Sequence, residues 1–325
     1  MTNFSRRKAI ALTGSTALAL SAPGLLRAAQ PIRLGATPTA VLVWLADGMG
    51  LLRDSPHDIE IVKYTSGTKT AKDLVGGKLD LATSSEFAFV SVAFDRPDLR
   101  ILASLSRSRT IDVFARADRN IRAYTDLEGK TVGVVQNSFA HFVLHRVLLE
   151  SGVKLGAMQP LLPLEMVSAI ADGSIDAGVV WDPYLRQAAA ALGDQFVQLP
   201  HQEWHNYEFV LHGAGGWISA NQPAAGDIVG RLVEAAEFAE SDPETAKQIV
   251  GRRLDLDAGT MEYLWPKHTL KLTLSQALLR LMEDEAWFRI DLGLSSGAVP
   301  NYLDLIAPAA LKEADPDAIS IIGLN

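Results

Sequence analysis

Asp126-Leu127-Glu128-Gly129-Lys130-Thr131-Val132-Gly133-Val134-Val135, then Gln136-Asn137-Ser138-Phe139-Ala140-His141, then Ala169-Ile170-Ala171-Asp172-Gly173-Ser174-Ile175-Asp176-Ala177-Gly178-Val179-Val180-Trp181-Asp182-Pro183: these runs decide the fold. The first is a polar turn entering a short apolar run. The second is a polar turn opening an apolar-periodic stretch. The third reads as helix, Gly stop, strand and turn. In open α/β sheets, turns that follow such strands are where ligands bind. A helix starting at Ser138 aims its unpaired N–H groups at whatever occupies that crevice.

The same grammar extends upstream. Ile32–Ala36 reads as a strand, and Thr37-Pro38 opens a helix running through Leu52. Asp58–Val62 is a strand, Thr68–Val75 a helix stopped by Gly76-Gly77, and Leu79–Thr83 the next strand. Glu86–Phe94 is a helix capped by Ser84 or Ser85. Strands alternating with helices imply a largely parallel sheet. Gly77-Lys78-Leu79-Asp80-Leu81 also echoes Gly173-Ser174-Ile175-Asp176-Ala177. The echo suggests two similar lobes facing one cleft, although Gly-x-Ile-Asp is also a common helix-to-strand joint.

Three pieces carry a family resemblance: Asp126-Leu-x-Gly-Lys-x-Val132, Ser138-x-Ala140-His141, and Gly173-x-Ile175-Asp176-Ala177-x-x-x-Trp181-x-Pro183. In this order the chain resembles periplasmic substrate-binding proteins of ABC importers. The nearest class serves nitrate, aliphatic sulfonates, taurine and some vitamin precursors. The resemblance extends more loosely from about Ile32 to Gly216. It implies a two-lobed α/β clamp (type II-like), with mostly parallel sheets and a hinge that closes over a solute. The expected division is lobe 1 over residues 30–117 and 206–325, and lobe 2 over 118–205. The chain would cross at Ala117–Asn120 and return near His205-Asn206-Tyr207.

Ser5-Arg6-Arg7-Lys8, the apolar stretch Ala9–Leu20 and the break at Ser21-Ala22-Pro23-Gly24 form an export-signal pattern over residues 1–29. The paired arginines favour the twin-arginine route. Twelve apolar residues are too few to span a ~30 Å hydrocarbon core. The chain has no cysteine, which excludes disulfides and a lipid-modified cysteine. The expectation is therefore a soluble periplasmic monomer. Removing residues 1–29 removes Arg6, Arg7, Lys8 and Arg27 and no acid, leaving 26 basic against 38 acidic side chains, a formal −12. That balance argues against nucleic acid as a partner, while a single pocket can still be locally positive.

The candidate ligand residues are Ser84, Ser85, Glu86, Asn137, Ser138, Phe139, Trp181, Asp182, Trp44 and Arg109. Serines at helix starts suit an oxyanion, and Ser138 is expected to cap its helix as well. Glu86 is favoured by the helix dipole whatever the ligand; facing the cleft, it would instead welcome an amine or a pyrimidine. Arg107 and Arg109 could neutralise it or hold an anion. Trp181, at a strand end, is expected to line the cleft, whereas core packing is the leading reading of Trp44. No cofactor and no metal are expected. His201 and His205, like His141 and His145, lie four apart, but neither pair shows a third ligand. Gly129-Lys130-Thr131 lacks the upstream glycine of a phosphate loop, and no Gly-x-Ser-x-Gly elbow exists.

These readings favour a non-enzymatic solute-binding component that delivers a sulfonate or taurine to an ABC permease. The alternatives are a heteroaromatic vitamin precursor as solute, or a sensor docking a membrane receptor.

Overall fold

The computed structural model describes residues 30–324; the leader expected over residues 1–29, with its export route and cut, lies outside the described residues. β1 (Ile32–Ala36), α1 (Val41–Met49), β2 (Ile59–Lys63), α2 (Gly67–Val75), β3 (Leu81–Ser85), α3 (Glu86–Ala93) and β4 (Leu99–Ser108) come first. β5 (Ile111–Arg116), β6 (Thr131–Val134), α4 (Phe139–Ser151), β7 (Ala157–Pro160), α5 (Pro163–Asp172), β8 (Ala177–Trp181), α6 (Tyr184–Leu192) and β9 (Phe196–Gln198) follow. Then come β10 (Tyr207–Ala214), α7 (Gly215–Ala220), α8 (Gln222–Ser241), α9 (Pro243–Leu254) and α10 (Ala258–Leu264). β11 (His268–Thr269), α11 (Gln276–Asp291) and α12 (Ala309–Ala314) complete the order.

Two sheets result, ordered β11-β4-β10-β3-β1-β2 and β7-β6-β8-β5-β9. Four of six strands in the first and four of five in the second run the same way; β10 and β11 are reversed in one, β5 in the other. The α/β architecture with mostly parallel strands is therefore as the sequence implied. Each reversed inner strand is the one by which the chain enters a sheet from the other half. β5 pairs with β8 and β9, so the first passage falls at Arg109-Thr110, upstream of the expected Ala117–Asn120. That polar stretch is a 3₁₀ turn within the second half, ending at Asn120 with φ 58°. The return runs from Leu199 to Asn206. Entry and exit are tied together, since Thr110 Oγ1 and the Tyr207 hydroxyl lie 2.8 Å apart.

The repeated Gly-x-apolar-Asp acquires a physical cause. Asp80 Oδ2 accepts the Arg33 backbone N–H at 2.9 Å, and Asp176 Oδ2 accepts that of Thr131 at 2.9 Å. Each aspartate thus satisfies the amide at the start of the neighbouring parallel strand, and each also meets an arginine, Arg33 or Arg119. Gly173 ends α5 with φ 82°, a left-handed conformation that glycine adopts without steric cost.

The apolar faces of both sheets are buried. Leu34, Leu81 and Ile101 fill one half, and Phe114, Met166 and Ile175 the other, all fully enclosed. Each such side chain contributes roughly 1.5–3 kcal/mol of burial. α4 of the second half reaches across to α3 and α11. Phe142 lies 6.3 Å from Phe87 and 5.4 Å from Phe288, ring centre to ring centre. No helix among the described residues is long and apolar enough to cross a membrane.

Candidate functional site

The carboxyl ends of the parallel strands converge on a cavity of about 300 Å³. β1 delivers Thr37, β2 delivers Thr65 and Ser66, β3 ends at Ser85, and β8 ends at Trp181. Four helices, α2, α3, α4 and α6, begin at or just beyond these turns and the one after β6. Their first N–H groups lack intrahelical partners, so this end of the sheets is rich in donors. The second passage contributes Tyr207, whose hydroxyl is pushed up to about 12 by burial.

Of the ten candidate residues, five line the cavity: Ser85, Ser138, Phe139, Trp181 and Asp182. The other five do not, each for a visible reason. Trp44 is 2% exposed and spends its indole N–H on the Thr37 carbonyl at 2.7 Å, bracing the cavity turn from behind. Ser84 is enclosed and bonded to His212 Nε2 at 2.9 Å. Asn137 sits at a left-handed φ of 56° and is exposed. Arg109 is exposed and donates to the Pro266 carbonyl at 3.1 Å. Arg107 reaches Glu203 at 3.8 Å on the surface.

Glu86 points inward from the first turn of α3 and is 0% exposed. It meets the equally enclosed Glu285, and neither carboxylate finds a conventional partner. Burial drives both well above the ordinary carboxylate range; the neighbouring Glu208 charge also raises Glu86, and Glu86 raises Glu285. Both are therefore neutral acids behind the wall, neither amine receptors nor repellers of an anion. Burial and the coulombic effect of Arg107 act in opposite directions on Glu208, and burial wins, so it too is raised.

The serines divide the work differently from the expectation. Ser85 Oγ caps α3 by accepting the Ala88 N–H at 3.3 Å, which leaves its hydroxyl proton free to donate. Ser138 does not cap α4; its hydroxyl donates to the Val135 carbonyl at 2.7 Å. The wall's remaining hydroxyl of note is Thr37 Oγ1, buried and without a partner. Buried polar groups are normally satisfied, and an orphan in a cavity wall marks a place for a polar ligand atom.

Among the described wall residues there is no lysine or arginine. His268 is present but neutral: burial and the neighbouring Lys267 ammonium push it down to about 4. Lys267 itself is spent on Asp182 at 2.6 Å and on the Tyr263 hydroxyl at 2.6 Å. For Asp182 burial outweighs that pairing and raises its pKa; for Lys267 burial lowers and the pair raises, and the pair wins. Apart from the serines and threonines of its turns, the rest of the wall is largely apolar and aromatic, including Phe87, Tyr207, Trp265 and Leu254.

Two parts of the wall escaped the sequence reading. Thr65-Ser66-Gly67-Thr68 follows a strand and opens a helix, the same signal that singled out Ser138. Gly67 lets the turn pack closely against β3: a Cβ there would lie 3.2 Å from Ser84 Cα and Cβ, a tight contact. The wall formed by α9 and α10 carries no local signal; its residues look like any amphipathic helix face. As for metal donors, the described residues bring one group together: Asp112, His201 and His205. None of these three lines the cavity.

Comparison with known proteins follows the same outline. Residues 39–246 match the family model described as NMT1/THI5 like. A protein of Escherichia coli (strain K12) named for binding aliphatic sulfonates is 26% identical over 184 residues, covering 55% of this chain and 58% of that relative. The chain thus aligns with little more than half of that relative's length. Among solved structures, the periplasmic aliphatic sulphonate binding protein SsuA from Escherichia coli superposes with a TM-score of 0.73 at 21% identity, over 86% of this chain and 92% of that one. The desulfurization enzyme DSZB shares the fold, with a TM-score of 0.68 at 15% identity over 87% and 98% of the two chains. The fold therefore serves both binding and catalysis.

Proposed function

The chain belongs to the NMT1/THI5-like family, and from that premise we propose that it is the solute-binding component of an ABC importer, holding an aliphatic sulfonate between its two halves. One observation carries the reading. The cavity is apolar over most of its wall, without a cation among its described residues, and its polar edge consists of hydroxyls and helix starts that include the unpartnered Thr37 Oγ1. A sulfonate spreads one charge over three oxygens, so neutral donors suffice to hold it. Its carbon chain would lie against Phe87, Trp181, Tyr207 and Leu254. A plain alkanesulfonate suits this wall better than taurine, whose ammonium finds Asp182 already paired with Lys267. Closure would pivot about the two passages, Arg109-Thr110 and Leu199–Asn206, and the closed form would dock an ABC permease. The protein contributes affinity and delivery, with no bond made or broken.

The abundance of aromatic rings in the wall favours a second reading, a flat heteroaromatic solute. Glu86, whose exposure to the cleft would have supported it, lies behind the wall.

Titration calorimetry of the mature protein against butanesulfonate, taurine, nitrate and a pyrimidine precursor tests the proposal. Butanesulfonate should bind most tightly. Thr37→Val, which removes a hydroxyl with no partner in the protein, should weaken that binding by about 1.5–3 kcal/mol, tenfold or more. Binding of the pyrimidine alone, or no effect of Thr37→Val, would overturn the sulfonate assignment.

A further inference from the structure

We propose that Asp112, His201 and His205 form a binding site for a divalent metal ion of the zinc class, which fixes the second passage between the sheets. Asp112 lies on β5, two residues after the first passage, and both histidines lie on the Leu199–Asn206 return segment. Asp112 Oδ1 is 2.6 Å from His201 Nδ1 and 3.1 Å from His205 Nδ1. The three donor atoms all fall within 4.8 Å of one another.

The outward-facing atoms decide what the inward-facing ones can be. His201 Nε2 faces Asn206 Oδ1 at 3.2 Å. The Asn206 amide is held in that orientation, because its Nδ2 donates to Glu203 at 3.0 Å. His205 Nε2 faces the Tyr124 hydroxyl at 3.5 Å, and that hydroxyl donates its own proton to the Pro200 carbonyl. Asp112 Oδ2 accepts from Gln198 Nε2 at 2.7 Å. Each imidazole therefore has an acceptor available for a proton on Nε2, and in that tautomer its Nδ1 lone pair is aimed at a carboxylate oxygen. Three lone pairs meeting in an enclosed place require positive charge between them.

One divalent ion supplies that charge. Metal-bound histidines ordinarily donate their second N–H to such an outer acceptor, and a ligating carboxylate is likewise hydrogen-bonded. His201 and His205 keep the three-residue gap common in zinc sites. Bonds of about 2.0–2.2 Å place tetrahedral donors about 3.4 Å apart, so the two carboxylate–imidazole separations need to open by less than about 1 Å. His205 is fully enclosed and His201 is 26% exposed, which leaves a water position and an entry path. The alternative occupant is a proton on each Nδ1, making both rings imidazolium.

The test uses the mature chain without an affinity tag, stripped of metal by a chelator. Titration with Zn²⁺ should give one equivalent per chain, and Co²⁺ should give the visible absorption of a tetrahedral nitrogen–oxygen site. His201→Ala should abolish the cobalt absorption, and Asn206→Ala should weaken Zn²⁺ binding about tenfold. His145→Ala should change neither. Substoichiometric uptake, an octahedral cobalt spectrum, or equal uptake by His201→Ala would overturn the site in favour of the protonated pair. Should His201→Ala fail to fold, the wild-type stoichiometry and cobalt spectrum still decide.

Discussion

Replacing Glu285 with glutamine should change how stability depends on pH. Glu285 and Glu86 are enclosed together and held neutral in the folded chain. In the unfolded chain a glutamate releases its proton near pH 4.3. A folded value above the unfolded one means that the native state binds more protons across the interval, so stability falls as pH rises through it. The contribution is fully present below the unfolded value and is lost on the way to the folded one. Each proton held by one state alone is worth about 1.4 kcal/mol per pH unit. Glutamine keeps the side-chain volume and cannot ionise, so Glu285→Gln removes one such slope. Between pH 5 and 6 the wild type should therefore lose about 1.4 kcal/mol more than the variant, a difference of about 3 °C in melting temperature. Glu208 and Asp182 shift in the same direction but are common to both proteins and cancel. Urea denaturation at a series of pH values gives both slopes. Parallel slopes would refute the reasoning and imply that Arg289, the buried cation near Glu285, ionises it in the native state.

Two stability predictions accompany this one. Lys267→Met strands the enclosed Asp182 carboxyl and should cost about 3–5 kcal/mol by denaturant unfolding, whereas adding Asp182→Asn should restore much of it. Gly178→Ala places a Cβ 2.8 Å from Phe114 Cζ and 2.9 Å from Met166 Sδ; overpacking of about 1–3 kcal/mol should appear as a lower urea midpoint with an unchanged m-value.

The strand–turn–helix units were legible because each obeys a local rule: period-two apolar strands, glycine stops, polar turns. β1, β2, α2 and α3 fall within a residue or two of the expectation. The first passage was not legible, because Arg109-Thr110 crosses between sheets without any turn composition, while Ala117–Asn120 has that composition and crosses nothing. In the site, Ser85 and Trp181 were found because strand ends are visible in sequence. Glu86 was misplaced because the face it turns to is set by long-range packing, against Glu285 on α11, whereas Trp44 packs in the core beneath the Thr37 turn, as its leading reading had it. The metal triad was half visible as His201 and His205. Its third donor, Asp112, lies 89 and 93 positions away, beyond any local spacing rule.

The position of β10 has a consequence for how the chain is made. β3 takes its partner on one side from β1, but on the other from Phe209–Gly213. About 120 residues, including every strand of the second sheet, emerge from the ribosome between those two segments. At roughly 5–20 residues per second, that edge of β3 waits on the order of ten seconds for its mate. The second sheet is contiguous in the chain and is complete before the first. During synthesis the half that begins the protein is thus the later to close, and its open edge is the surface a holding chaperone would have to cover.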